Sequence, residues 1–180
     1  MVKASVVGVH QSETHSFSKP TVGEITLVEG IGVAGDAHSG TTVQHLSRVK
    51  KNASTPNMRQ VHLMHRELFE QLARDGYSVV PGDLGENITT SGVDVLALPV
   101  GTRLMIADAV ITVTGLRNPC FQINDFQPGL LKKVLFTNDD GETVRLSGVM
   151  GIVSRGGVVR SGDEITVTLP PEPHYPLTPV

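Results

Sequence analysis

Short runs in which apolar and polar residues alternate, broken by glycine or by polar turns, recur along the whole 180-residue chain. Alternation with a period of two marks strands that bury one face. It predicts strands at 3–10, 23–28, 60–64, 87–89, 103–106, 110–114, 144–146, 149–153 and 164–169. The step Ala107-Asp108-Ala109 between two such runs predicts a tight hairpin. Asn138 to Gly141 and Arg155-Gly156-Gly157 are turn signals of the kind that need positive φ. Two segments carry the helical period instead. Residues 65–74 place Leu68, Phe69 and Leu72 on one face and stop at Gly76. Residues 128–135 open on Pro128 and carry Leu130, Leu131, Val134 and Leu135. Residues 38–56 have no clear period and read as a long loop with some helix.

Composition sharpens this pattern. Glycine is frequent, with 19 residues, and aromatics make up only 4%. Many short β-branched runs between glycines point to a mainly antiparallel β protein, in the form of a barrel with two or more short helices. The length suits one domain, assigned to residues 1–169, with enough chain for a real core. From Pro170 onward there are prolines at 170, 171, 173, 176 and 179. Such a segment has too few backbone donors for a core strand or helix, so 170–180 is an extended tail.

Charge excludes several partners. Charged residues are 18% of the chain and the net charge is -3, too weak a field to predict nucleic acid or membrane binding. The apolar stretch at the N-terminus is too short for a signal peptide, and no apolar run approaches the ~18 residues of a membrane span. A lone cysteine permits no internal disulfide and fits a reducing compartment. A soluble cytoplasmic protein is the expectation.

That cysteine, Cys120, follows Arg117, Asn118 and Pro119 at the end of a predicted strand. A buried thiol behaves as a small hydrophobe, and that reading stays open for Cys120. In favour of chemistry, Pro119 pins the backbone and Arg117 places a cation nearby. A thiolate so placed could attack a substrate, carry a persulfide or ligate a soft metal. His38, His45, His62 and His65 offer a rival zinc site, but their spacings match no zinc motif. Residue 62, alternating with Val61 and Leu63, should face solvent or a cavity. The loops 35–40 and 81–89 are shaped by glycine and present acids, amides and hydroxyls; they suit phosphates or heterocycles, and equally plain β-turns. Residues 14–20 set hydroxyls beside Lys19, as a phosphate would require. None of these is a Walker loop or a Rossmann fingerprint.

Taken in order, several segments together resemble the MOSC domain, the module named after the C-terminal domain of molybdenum cofactor sulfurase. They are Gly32-Val33-Ala34-Gly35-Asp36-Ala37-His38, Arg59-Gln60-Val61-His62-Leu63-Met64 and Pro81-Gly82-Asp83-Leu84-Gly85-Glu86-Asn87-Ile88. Val100-Gly101-Thr102, Arg117-Asn118-Pro119-Cys120, Gly148-Val149-Met150-Gly151 and the run from Gly156 to Asp163 complete the set. The resemblance implies a barrel-like fold similar to the small β-barrel domain of pyruvate kinase. It also implies binding of molybdenum cofactor, a pyranopterin dithiolene (molybdopterin) with a phosphate.

On that resemblance Cys120 is both the catalytic residue and the metal ligand. In amidoxime-reducing relatives the matching cysteine gives molybdenum a further thiolate, and in the sulfurase it is viewed as a sulfur-handling site. Ser18 and Lys19 would contact the phosphate, although the order is reversed from the Lys-Ser pair of distant relatives. Arg117 and Asn118 would anchor the cofactor or orient Cys120, and Asp36, His38, Asn87 and Thr89 would meet pterin or substrate. The implied activity is an oxidoreductase that reduces N-hydroxylated compounds by oxygen-atom transfer. With no flavin or iron–sulfur pattern in the chain, its electrons would come from an external electron-donor protein. The alternative is a cofactor or persulfide sulfur carrier without redox turnover, loaded by a cysteine desulfurase. Neither the pyridoxal-phosphate domain of the sulfurase nor the hydrophobic anchor of membrane-bound relatives is expected here.

Overall fold

The computed structural model describes residues 3–180. Among them, thirteen strands and four short helices fold around two apolar clusters. The strands are β1 (Ser5–His10), β2 (Thr21–Val22), β3 (Glu24–Val28), β4 (Gly32–Val33), β5 (Val61–His65), β6 (Ile88–Ser91), β7 (Arg103–Ile106) and β8 (Ala109–Leu116). They continue as β9 (Leu135–Thr137), β10 (Thr143–Arg145), β11 (Val149–Arg155), β12 (Gly157–Arg160) and β13 (Ile165–Thr168). The helices are α1 (Leu46–Asn52), α2 (Arg66–Arg74), α3 (Gln122–Phe126) and α4 (Leu131–Val134).

Eight strands form one sheet in the order β13-β7-β8-β11-β5-β6-β1-β2, and β12-β3-β4 and β10-β9 form two smaller sheets. The large sheet is mixed. β5 and β6 run parallel, with Leu63 opposite Ile88, because α2 and its following loop return the chain to the same end, as a parallel pair requires. The sheet does not close into the expected barrel. Its ends are β13 and β2. β1 is tied to the chain around the start of β13 by the isolated Ser5–Glu164 bridge and by Val6 N–H to Asp163 O, Gly162 N–H to Val6 O and Ile165 N–H to Ala4 O.

The predicted alternation lands where burial requires it. In β7 the pattern is exposed, buried, exposed, buried, with Leu104 and Ile106 inward. These join Val9, Leu63, Ile88, Ile111 and Val149 in the main core. The α2 face of Leu68, Phe69 and Leu72 packs with Met64, Leu84, Ile123, Leu130 and Val134 in the second cluster. The hairpin at Ala107 is present, with φ 49 at that residue, as is the turn closed by the Gly141 N–H donating to Asn138 O.

The turn expected at Arg155-Gly156-Gly157 is absent. Neither glycine has positive φ, and only Gly156 separates β11 from β12, which pairs with β3. The glycines serve close approach instead. A Cβ on Gly156 would lie 2.8 Å from Leu27 O and one on Gly157 2.7 Å from Ala109 N. The strands β2, β4, β9 and β12 and the helix α3 are too short to show a period.

The proline-rich tail is docked. Leu116 N–H donates to Thr178 O, Val180 N–H to Leu116 O, and Val100 N–H to Tyr175 O. Prolines supply no donors, so the tail pairs through its few remaining amides and lies along β8.

Candidate functional site

The ends of three neighbouring strands gather polar side chains. β1 is antiparallel to β6, with Val9 opposite Ile88, and β6 is parallel to β5. The end of β1 therefore lies beside the chain entering β6. There Asn87 stitches the strands together. Its side-chain NH₂ donates to His10 O (3.2 Å) and Asp36 Oδ2 (3.1 Å), and its Oδ1 accepts from His62 N–H (3.2 Å).

Asp36 follows β4 and is buried. Its Oδ2 accepts from Lys19 Nζ at 2.7 Å, and its Oδ1 from the backbone and ring nitrogens of His38 at 2.9 and 3.2 Å. Burial alone would raise the Asp36 carboxyl, but the His38 bonds and the Lys19 charge outweigh it and hold it far below the usual carboxylate range. Burial lowers Lys19 from its usual value, and Asp36 resists that fall.

A second buried acid sits one residue before Asn87. Glu86 Oε1 accepts from Gly82 N–H (2.7 Å) and Thr89 Oγ1 (2.8 Å), while Oε2 is buried without a partner. Burial raises its carboxyl despite those bonds. Thr89 leads on to His10, whose Nε2 and Nδ1 lie 3.0 Å from the hydroxyls of Thr89 and Thr21. Burial, aided by the Lys19 charge, pulls His10 down to about 4.

Cys120 lies on the loop between β8 and α3, half-buried. That loop is clamped from both sides. Arg117 N–H donates to Gly148 O (3.0 Å), Ser147 Oγ donates to Arg117 O (3.1 Å), and Ile123 anchors α3 in the second cluster. Gly148, at φ +83, in turn packs close against β5, since a Cβ there would collide with Leu63 O and sit 2.6 Å from Met64 Cγ.

The Arg117 guanidinium is lowered by burial and supported chiefly by Cys120 and then by Glu86. Arg59 is lowered by burial to about 10, with the Arg48 and Arg117 charges adding to the effect and Cys120 opposing it. Arg59 Nη1 donates to the main-chain oxygen of Val180 at 2.6 Å, so the tail ends at this cluster. Arg59 Nε and Arg117 Nη1 are buried and have no partner. The resulting cluster is rich in cations: Lys19, Arg59 and Arg117 stand against Asp36, the Glu86 acid and one thiol.

Of the sequence-derived candidates, Lys19, Asp36, His38 and Asn87 form one bonded network, and Arg117 stands beside Cys120. Thr89 belongs to the Glu86–His10 chain. Ser18 Oγ donates to Asp83 O (2.7 Å), which ties down its own loop. Asn118 is exposed and accepts from Arg145 Nε (2.9 Å). His62 turns inward and donates from Nε2 to Ser147 O at 2.8 Å. The ring centroids of His38 and His45 lie 4.6 Å apart with the rings tilted by 45°, but among the described residues no three His, Cys, Asp or Glu side chains are placed to hold a metal ion. Arg59, Glu86 and His10 were not singled out from the sequence. Arg59 and Glu86 stand within the runs 59–64 and 81–88 that carry the family resemblance, but the unpaired Arg59 Nε and Glu86 Oε2 are a tertiary fact.

The MOSC domain model matches residues 36–166. The chain belongs to the MOSC family. YuaD of Bacillus subtilis (strain 168), assigned by its name to metal-sulfur cluster biosynthesis, is 28% identical over 175 residues, covering 91% of this chain and 90% of YuaD. The crystal structure of the Bacillus subtilis YuaD protein superposes with a TM-score of 0.73 at 24% identity, over 92% of this chain and 96% of that one. YiiM from Escherichia coli superposes at 0.62 and 19% identity, over 97% of this chain and 74% of that one. These solved structures share the MOSC fold. Among the described residues no helix is long and apolar enough to cross a membrane.

Proposed function

We propose that this MOSC domain binds molybdenum cofactor beside Cys120 and reduces N-hydroxylated small molecules there, with electrons delivered by a partner protein. The observation that carries the reading is the pair of arginines near Cys120, each with a buried N–H that has no partner. A buried donor left unpaired costs about 1–3 kcal/mol, and an anionic ligand would recover it. A phosphate-bearing dithiolene is such an anion, and a thiol is the soft donor that molybdenum accepts. The donor set fits the group.

In this reading Arg117 and Arg59 hold the anionic cofactor and Cys120 supplies the protein thiolate. Lys19 is committed to Asp36, so it shapes the cluster and the two arginines take the phosphate role. Bound there, the cofactor supplies two-electron reduction of an N–O bond. The chain's own part is to fix the sulfur on a clamped loop and to present cations to the ligand.

A second reading has one specific support, the name of the YuaD relative. In it Cys120 carries persulfide sulfur received from a cysteine desulfurase. Protein made in a cofactor-competent host separates the two. The first reading expects molybdenum bound to the folded wild type and lost in Cys120→Ala, with reduction of hydroxylaminopurine by a suitable electron donor. Unchanged molybdenum in Cys120→Ala rejects the ligand role. A persulfide on Cys120, detected by mass spectrometry after incubation with a desulfurase, selects the carrier.

A further inference from the structure

Glu86, Thr89 and His10 are fully buried, yet they form a continuous hydrogen-bonded chain that ends at the exposed residue Thr21. Donor and acceptor roles along it follow from its ends. Glu86 Oε1 can only accept from Thr89 Oγ1, so the Thr89 hydroxyl proton is spent there. His10 Nε2 must then be the donor to Thr89 and carry its hydrogen. His10, held neutral, has no proton on Nδ1, which accepts from the Thr21 hydroxyl. Every hydrogen points the same way, from the β2 edge inward to Glu86.

The inner end has an unfilled valence. Oε1 already accepts two bonds, and buried Oε2 makes none. An ionised oxygen left unpaired in the interior is costly. A neutral acid with its hydrogen on Oε2 leaves Oε1 as a carbonyl that uses both lone pairs, with Oε2–H as the one donor not yet committed. The charged groups acting on this carboxyl are Asp83 on its own loop, and Lys19 and Arg117 from the cation cluster.

We infer that Thr21–His10–Thr89–Glu86 is a proton-conducting chain from the surface at β2 to the cation cluster. Its step balances without an oxidant. Glu86 releases the Oε2 proton to the bound ligand while Oε1 takes the proton of Thr89; Thr89 takes that of His10 Nε2, His10 Nδ1 that of Thr21, and Thr21 one from water. One proton enters and one leaves. Reductive cleavage of an N–O bond consumes protons, so the inference deepens the function proposed above. The chain itself is testable in cofactor-free protein.

Infrared spectra of protein with isotope-labelled glutamate should show a protonated carboxyl band at pH 7 that vanishes in Glu86→Gln. ¹⁵N NMR should place the His10 hydrogen on Nε2. Thr89→Val should shift both signals, and Thr89→Ser should restore them. An ionised Glu86 at pH 7, an Nδ1–H His10, or spectra unmoved by Thr89→Val would overturn the chain. In cofactor-loaded protein, Thr89→Val should slow reduction at least tenfold with molybdenum content unchanged and recover in Thr89→Ser; an unchanged rate in Thr89→Val rejects conduction. If wild-type protein holds molybdenum but reduces nothing while the spectra behave as expected, the reductase reading fails and the chain stands.

Discussion

Lys19 Nζ lies 2.7 Å from Asp36 Oδ2, with the two side chains only 3% and 2% exposed. The pair joins the loop after β1 to the turn after β4, and Asn87, just before β6, bonds the same Asp36 oxygen. Removing one member of a buried pair leaves the other charge uncompensated, which costs about 3–5 kcal/mol. Asp36→Asn should lose that much stability in urea denaturation. The double variant Asp36→Asn/Lys19→Met should recover much of it.

The same carboxyl fixes a pH dependence. Its folded-state pKa is depressed, so its contribution is fully present above the ordinary carboxyl range of about 4. It is lost as pH falls below that range. Wild-type denaturation midpoints should drop below about pH 4, and the drop should shrink in the double variant.

His10 acts over a higher window with the same sign. Its pKa falls from 6.5 to about 4 on folding, so the unfolded chain binds the proton first as pH decreases. Stability should decline between about pH 6.5 and 4. Other buried histidines add to the slope. His10→Asn should lower overall stability but cut the proton uptake on unfolding by about one in that window, measured from the slope of stability against pH.

Gly115 meets the tail. A Cβ there would collide with Thr178 O and sit 2.9 Å from Val180 Cβ, so Gly115→Ala should push the tail from β8 and free Arg59 Nη1. Limited proteolysis should then cleave the chain after residue 170 faster than in wild type, while the spectroscopic signature of the β core persists.

Arg59→Met and Arg117→Met each remove one guanidinium beside Cys120. A hydrogen bond to a charged group contributes about 1.5–3 kcal/mol, so each variant should retain cofactor roughly ten- to a hundredfold more weakly. Molybdenum per folded chain after dialysis checks this. Lys19→Met should weaken retention less, because its charge is matched by Asp36.

Much of the fold is legible along the chain where period and burial coincide. The β7–β8 hairpin and the α2 face are such places, since Leu104, Ile106, Leu68 and Leu72 must go inward whatever surrounds them. The strands β2 and β4 are not, because two residues have no period and their pairing depends on distant partners. The barrel expectation failed for a related reason. Closure depends on whether β13 pairs in full with the β1–β2 end of the sheet, and the pattern within a strand carries no information about its neighbours.

By itself, the sequence determined the strand-rich class, the MOSC resemblance and the prominence of Cys120, because turn residues, alternation and a lone polar-flanked thiol are local properties. Only the tertiary structure decided which polar groups meet. It spent Lys19 on Asp36, left Arg59 and Arg117 each with an unpaired N–H, docked the tail on β8, and aligned Thr21, His10, Thr89 and Glu86. Those outcomes depend on hydrogen-bond partners up to 121 residues apart. Burial and partnership are properties of the packed chain, and no single segment contains them.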